Sequence, residues 1–362
     1  MRKHNILPIF AALLLLTACG ESQSPVATDG NVYASDGNYA TDGNVYATDG
    51  NYFYYAEAYT TEGNAYDYSV QNLPYATNGN VDRSALKTVR VSTVDELLNA
   101  LAPATEVLLS PGEYNLSQCT PALYSNCYFH PTFPLDGETA NELVLCNLYD
   151  CVIASESGKC EDVTIVAEPR TAAVLTIEDS CSIQLRGLTL GHTEGAICSA
   201  AVITLRNSGS VYIEDCELYG CGTIGLNCSG CRGVTTCGSL IRDCSYNAVD
   251  LMDSESFLFR DVTFRNVGEN AVFNIMNSHW VETENCVFEQ NPCMSFLSEF
   301  WSDHVFFDDC RFKDNSFHWL FQILNSASPE FYGCEIPVGQ CGRLYDNANP
   351  TVFALADGKE LH

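Results

Sequence analysis

Basic residues are scarce in this chain of 362 residues: 17 Lys and Arg stand against 46 Asp and Glu, a formal charge of −29. Proteins neutralise nucleic-acid phosphates with Lys and Arg, so the shortage argues against a nucleic-acid partner. It also opposes unassisted binding of polyanionic sugars, which such a field repels unless a metal ion or a local basic patch intervenes. Long apolar runs are lacking too. Past the first twenty residues no stretch is long and apolar enough to cross a bilayer. No apolar 3.6-residue period persists beyond one short segment near residue 95, which excludes a helical repeat. What the chain does have is apolar substance for a large core, 46% of its residues, and 19 cysteines. So many cysteines point to an oxidising compartment or to a structural use of sulfur.

The first residues read as an export signal: Arg2, Lys3 and His4 are basic, and Ile6 to Leu16 form a short apolar run. Leu16-Thr17-Ala18-Cys19 follows and resembles the lipobox of bacterial lipoproteins. The resemblance implies removal of residues 1–18, acylation of Cys19, and a membrane partner reached through the lipid anchor. The expected location is the bacterial cell envelope. Residues 19–82 then repeat a unit such as Ala27-Thr28-Asp29-Gly30-Asn31-Val32-Tyr33, with no Lys or Arg before Arg83. Few aliphatic side chains and uniform negative charge predict a disordered, solvated linker. Its spacing does not fit the nonapeptide of calcium β-rolls.

The folded body is expected over 83–362. Thr93-Val94-Asp95-Glu96 makes a capping box, and Val94, Leu97, Leu98 and Leu101 form one apolar stripe that Pro103 ends. This short amphipathic helix is suited to cover the end of a stack. The stack announces itself as a period. Ser180, Ser208, Ser254, Ser278, Ser302 and Ser326 close successive segments, with an interval of 24 from Ser254 onward and Gly230 at the missing step. Eight residues later come Leu188, Cys216, Gly238, Val262, Cys286, Cys310 and Cys334; two further on, Leu190, Leu218, Leu240, Phe264, Phe288, Phe312 and Ile336. Before the serines stand pairs two apart, such as Phe273 and Ile275. Spacing of two predicts short strands with one buried face.

Ile213-Glu214-Asp215-Cys216-Glu217-Leu218, Glu284-Asn285-Cys286-Val287-Phe288 and Phe307-Asp308-Asp309-Cys310-Arg311-Phe312 resemble the strand pattern of right-handed parallel β-helix proteins, the pectate-lyase-like superfamily. The resemblance spans roughly 90–350 and implies an all-β solenoid. It implies no single activity, because this solenoid carries lyases, hydrolases, adhesins and inert shafts.

Two classes of cysteine are expected. Cys216, Cys286, Cys310 and Cys334 fall on the inward ladder, where rungs about 4.8 Å apart are too wide for a disulfide, and read as buried thiols. Cys119, Cys127, Cys146, Cys151, Cys160, Cys221, Cys228, Cys231, Cys237 and Cys244 read as turn and insertion residues joined in structural disulfides. Zinc at Cys228 and Cys231 is disfavoured, since neither a histidine nor a second CxxC accompanies them.

Catalytic motifs of the resembled family are missing: there is no Asn-Thr-Asp, Arg-Ile-Lys or His-Gly. The outward column is expected to read Arg186, Glu214, Thr236, Arg260, Glu284, Asp308. Glu284 and Asp308 offer only two ligands for the calcium a lyase would use, so no metal or cofactor is expected outside that alternative. One departure marks a candidate ligand site: Glu299, Trp301, Asp303 and His304, where a ring can stack on a sugar and acids can bond its hydroxyls. Glu299 either bulges outward or is a buried acid. A surface-anchored binding or scaffold protein for a glycan or surface protein is the preferred reading. A polysaccharide lyase or hydrolase and an inert shaft are the alternatives.

Overall fold

The computed structural model describes residues 27–28, 31–33, 39–41, 44–49, 52–57, 86–119, 124–132, 140–168, 171–192, 200–220, 223–335, 337–345, 353–354 and 360–361. Cys19, the leader and Cys221 lie outside these residues. The chain divides into two units, 1–67 and 68–362. In the first, five short strands between Ala27 and Glu57 pair antiparallel in chain order. Short strands thus occur inside the segment expected to be an unordered linker.

The second unit is a solenoid of three sheets with ten, ten and eight strands. One coil shows the plan: Ala271–Met276 lies in the first sheet, His279–Glu284 in the second and Val287–Glu289 in the third, before Ser295–Phe300 returns to the first. Each strand pairs parallel and in register with its equivalent on the next coil. The exception is Cys127–Thr132, which pairs antiparallel with Ala140–Cys146. Helix Val94–Ala100 starts as expected, with Thr93 accepting from the Glu96 amide and Glu96 from the Ser92 amide at 2.7 Å. Leu97 and Leu98 are buried against the core of the first coils.

The serine column is a corner device. Where the chain leaves the first sheet, the amides of Ser254, Ser278 and Ser302 donate to Ser278 Oγ (3.1 Å), Ser302 Oγ (3.0 Å) and Ser326 Oγ (2.9 Å) on the following coil. Each of these hydroxyls donates in turn to the carbonyl two residues before it. A bend that breaks the strand ladder would otherwise orphan a buried amide. The second corner uses sulfur likewise: the Val262 amide donates to Cys286 Sγ at 3.4 Å, and the Cys310 amide to Cys334 Sγ at 3.2 Å. At the third corner Asn315 Oδ1 accepts from the Asn291 amide.

This geometry corrects the register by one residue in a single coil. Cys231, not Gly230, fills the serine column, its amide donating to Ser254 Oγ at 2.9 Å. Ser239, not Gly238, faces Cys216, and Ile241, not Leu240, is the buried residue between Leu218 and Phe264. The outward partner of Glu214 and Arg260 is therefore Cys237, while Thr236 is buried inside. Gly230 and Gly238 hold the left-handed position just before each corner, at φ 62° and 58°.

The disulfide expectation is corrected too. Among the described residues all sixteen cysteines are free. Cys151, Cys228, Cys231 and Cys244 are fully buried on strands and corners rather than in exposed turns, Cys228 stacking in register between Leu205 and Leu251. Burial pushes the Cys244 thiol up to about 12 and the Cys228 thiol well up, so both stay protonated. Toward the C-terminal coils the core turns aromatic. Phe264, Phe288 and Phe312 stack at 5.1 and 5.0 Å, and Phe296 packs edge-on to Phe288.

Candidate functional site

The corners where chain passes from the first to the second sheet carry two columns of left-handed residues. One reads Asp179, Asn207, Gly230, Asp253, Asn277, Trp301, Asn325; the other reads Ser182, Ser210, Gly233, Ser256, Trp280, His304. Gly, Asn, Asp and Ser suit positive φ, by lacking a Cβ or by bonding locally. A tryptophan there is strained by roughly 1–3 kcal/mol. Trp301 at φ 51° and Trp280 at φ 60° occupy these places on adjacent coils, with His304 at φ 55°.

The strained rings are not core. Trp280 is 48% exposed and Trp301 41%. Trp280 and His304 stack with centroids 3.9 Å apart and 20° between planes, and Trp280 also borders Phe306 at 6.3 Å. Asp303 joins the cluster from below: Oδ1 accepts from His279 Nδ1 at 2.8 Å and from His304 Nδ1 at 2.7 Å. These imidazoles, His304 first, hold the Asp303 carboxyl below the usual carboxylate range. With Nδ1 so engaged, each imidazole keeps Nε2 for a further hydrogen bond. Flat faces, a carboxylate oxygen and two imidazole edges are the contacts a polyhydroxylated ring can use.

Three of the four expected site residues, Trp301, Asp303 and His304, thus share one exposed corner. Glu299 does not join them. It pairs in register between Ile275 and Ile323 on the inward face of the first sheet and is wholly buried. Neither carboxylate oxygen has a hydrogen-bond partner. Burial, and then the charge of Asp303, pushes its carboxyl up to about 9, so it is a neutral acid in the core. The strand stays regular, with no bulge to turn the side chain out. Trp280 and His279 were not singled out as ligands from the sequence. The available signal was a tryptophan aligned with Ser256 and Gly233, a position without any apolar preference.

Other candidates have ordinary accounts. Arg260 Nε bonds Glu284 Oε2 at 2.6 Å, an exposed ion pair as expected. Asp250 is pushed up to about 6 by burial but accepts amide bonds of 3.0 Å from both Asn247 and Asn274. Among the described residues no group of three or more His, Cys, Asp and Glu converges as a metal shell.

A sequence model described as a right handed beta helix region matches residues 147–336. No curated protein matches the chain. Among solved structures, pectate lyase Pel9A is similar with TM-score 0.49 and 9% identity over 78% of this chain and 82% of its own. Alginate lyase from Paenibacillus sp. str. FPU-7 is similar with TM-score 0.46 and 11% identity, over 72% and 98%. PfbA, a surface adhesin of Streptococcus pneumoniae, gives TM-score 0.37 and 9% identity, over 69% of each chain. At these values the likenesses carry no argument about activity.

Proposed function

Because the chain belongs to the family of right-handed β-helix proteins, whose coils serve many ends, we propose that its function resides in one exposed corner and that this function is glycan binding. The protein is an exported lipoprotein, anchored through Cys19, that presents the corner formed by Trp280, Trp301, Asp303 and His304. The observation that supports this reading is the strain: two tryptophans occupy left-handed positions that the neighbouring coils fill with Asn, Ser or His. Neither ring enters the solenoid core: both are exposed, Trp280 resting on His304. Strain kept at an exposed place is a mark of use.

The test exploits that strain. Trp280→Gly and Trp301→Asn restore residues that the same columns already use, Gly233 and Asn277. Retention on a panel of immobilised polysaccharides is expected to disappear in the double variant while its melting temperature stays level or rises. Unchanged retention would refute the site. Unsaturated or new reducing-end products from the wild-type protein would make it a lyase or hydrolase instead.

A further inference from the structure

The corner opens onto the outer face of the second sheet, and that face is acidic. From the coil of Glu255 onward its outward residues are Leu258, Arg260, Glu282, Glu284, Phe306, Asp308, Glu330 and Tyr332, in register on successive strands. Arg260 is taken by Glu284, and Arg232 by Glu255. Among the described residues Glu282 and Asp308 make no ion pair, and Glu330 bonds the Tyr332 hydroxyl. Aromatic side chains alternate with these acids: Trp280 precedes Glu282, Phe306 pairs with Glu282 and Glu330, and Tyr332 with Asp308. No sheet or helix among the described residues covers this face.

We infer that this face docks a cationic glycan, an oligomer of amino sugars bearing free ammonium groups. The inference rests on the glycan reading and adds the charge of the ligand. In one column Glu282 and Glu330 stand two rungs apart with Phe306 between them, and in the other Glu284 and Asp308 are neighbours one rung, about 4.8 Å, apart, so negative charge recurs along the face with a ring beside each free acid. Exposed indole and phenol faces attract ammonium groups as well as stacking on pyranose rings. The net charge of −29 concentrates cations around the whole chain and repels uronates. The titratable groups around the corner are Glu255, His279, Glu282, Asp303 and His304. A neutral sugar would use the rings and give the acids hydroxyl hydrogen bonds, but would leave their charge uncompensated.

The experiment compares a glucosamine hexasaccharide, at a pH where its amines are charged, with its fully N-acetylated counterpart and with hexalysine, by calorimetry on the full chain. The free-amine sugar is expected to bind at least tenfold more tightly than the other two, and to weaken as salt rises. Glu282→Gln with Asp308→Asn should erase that preference, with an unchanged melt confirming the fold. Equal affinity for both sugars, or tighter binding of the acetylated one, overturns the inference and leaves the glycan reading standing. Binding of neither sugar overturns the inference, and retention on the polysaccharide panel then decides the glycan reading. Hexalysine binding as tightly as the amino sugar makes the face a dock for basic peptides and overturns the inference.

Discussion

Glu299 shows how much one residue can ask of a core. Its column otherwise reads Leu145, Ile177, Leu205, Cys228, Leu251, Ile275 and Ile323. The unfolded chain ionises this acid in the ordinary carboxylate range, near 4.5, whereas the folded chain holds the proton to about 9. Between those values the native state binds one proton more, so Glu299's contribution to stability is whole in acid, falls as pH rises, and levels off above about 9. The slope is ~1.4 kcal/mol per pH unit, or on the order of 3 kcal/mol lost at pH 7. Glu299→Leu should therefore stabilise the protein at pH 7 by about that amount and remove one bound proton from the pH dependence of urea unfolding. A variant no more stable than wild type at pH 7 would mean that the acid has a partner in solution. One rung away, Ile275→Asp adds a second buried acid and should abolish the cooperative melt; an unaltered melt would contradict the inward register. The sequence marked Glu299 as anomalous but left its direction open, because apolar alternation fixes a column's face and not whether one member defies it. Trp280 was harder to see as a ligand, since left-handed corner positions follow a conformational rule and carry no hydrophobic period.

At the scale of the element, the corners decide how closely coils stack. Ser278 accepts a buried bond from the Ser254 amide and donates a half-buried one to the Met276 carbonyl. Ser278→Ala strands that amide and should lower stability by about 1–3 kcal/mol. Ser278→Cys should recover much of the loss, because Cys286 and Cys334 accept backbone amides in the same way one corner further on. Equal melting temperatures for the Ala and Cys variants would show the corner bond to be dispensable. This equivalence of hydroxyl and thiol also explains what the sequence did and did not yield. The 24-residue spacing was plain from Ser254 onward, where the column repeats serine. In the Cys231 coil the adjacent Gly230 and Gly238 drew the alignment off by one, since small residues on either side of a corner look alike without φ. The same slip moved Cys228 and Cys231 from the core into turns, and with them the pairing expected of those two cysteines.

For the whole molecule, attachment and folding are separable in the proposed arrangement. Cys19→Ser should release the protein from the membrane fraction of cells while its melting curve stays unchanged; retention in that fraction would reveal a different anchor. Strand pairing in the solenoid joins each coil only to the coils before and after it. Its backbone hydrogen bonds therefore run along the axis of stacking. A load applied at the two ends of the solenoid meets those bonds one coil at a time, as in opening a zipper, rather than all together as in shear. Each released coil of 24 residues pays out about 80 Å of extended chain. Under tension the coils from Ser254 onward should lengthen in even steps of that size, and the 28-residue coil between Ser180 and Ser208 in a longer one, so that in the proposed arrangement a cell surface tethered through the protein would yield gradually instead of snapping free.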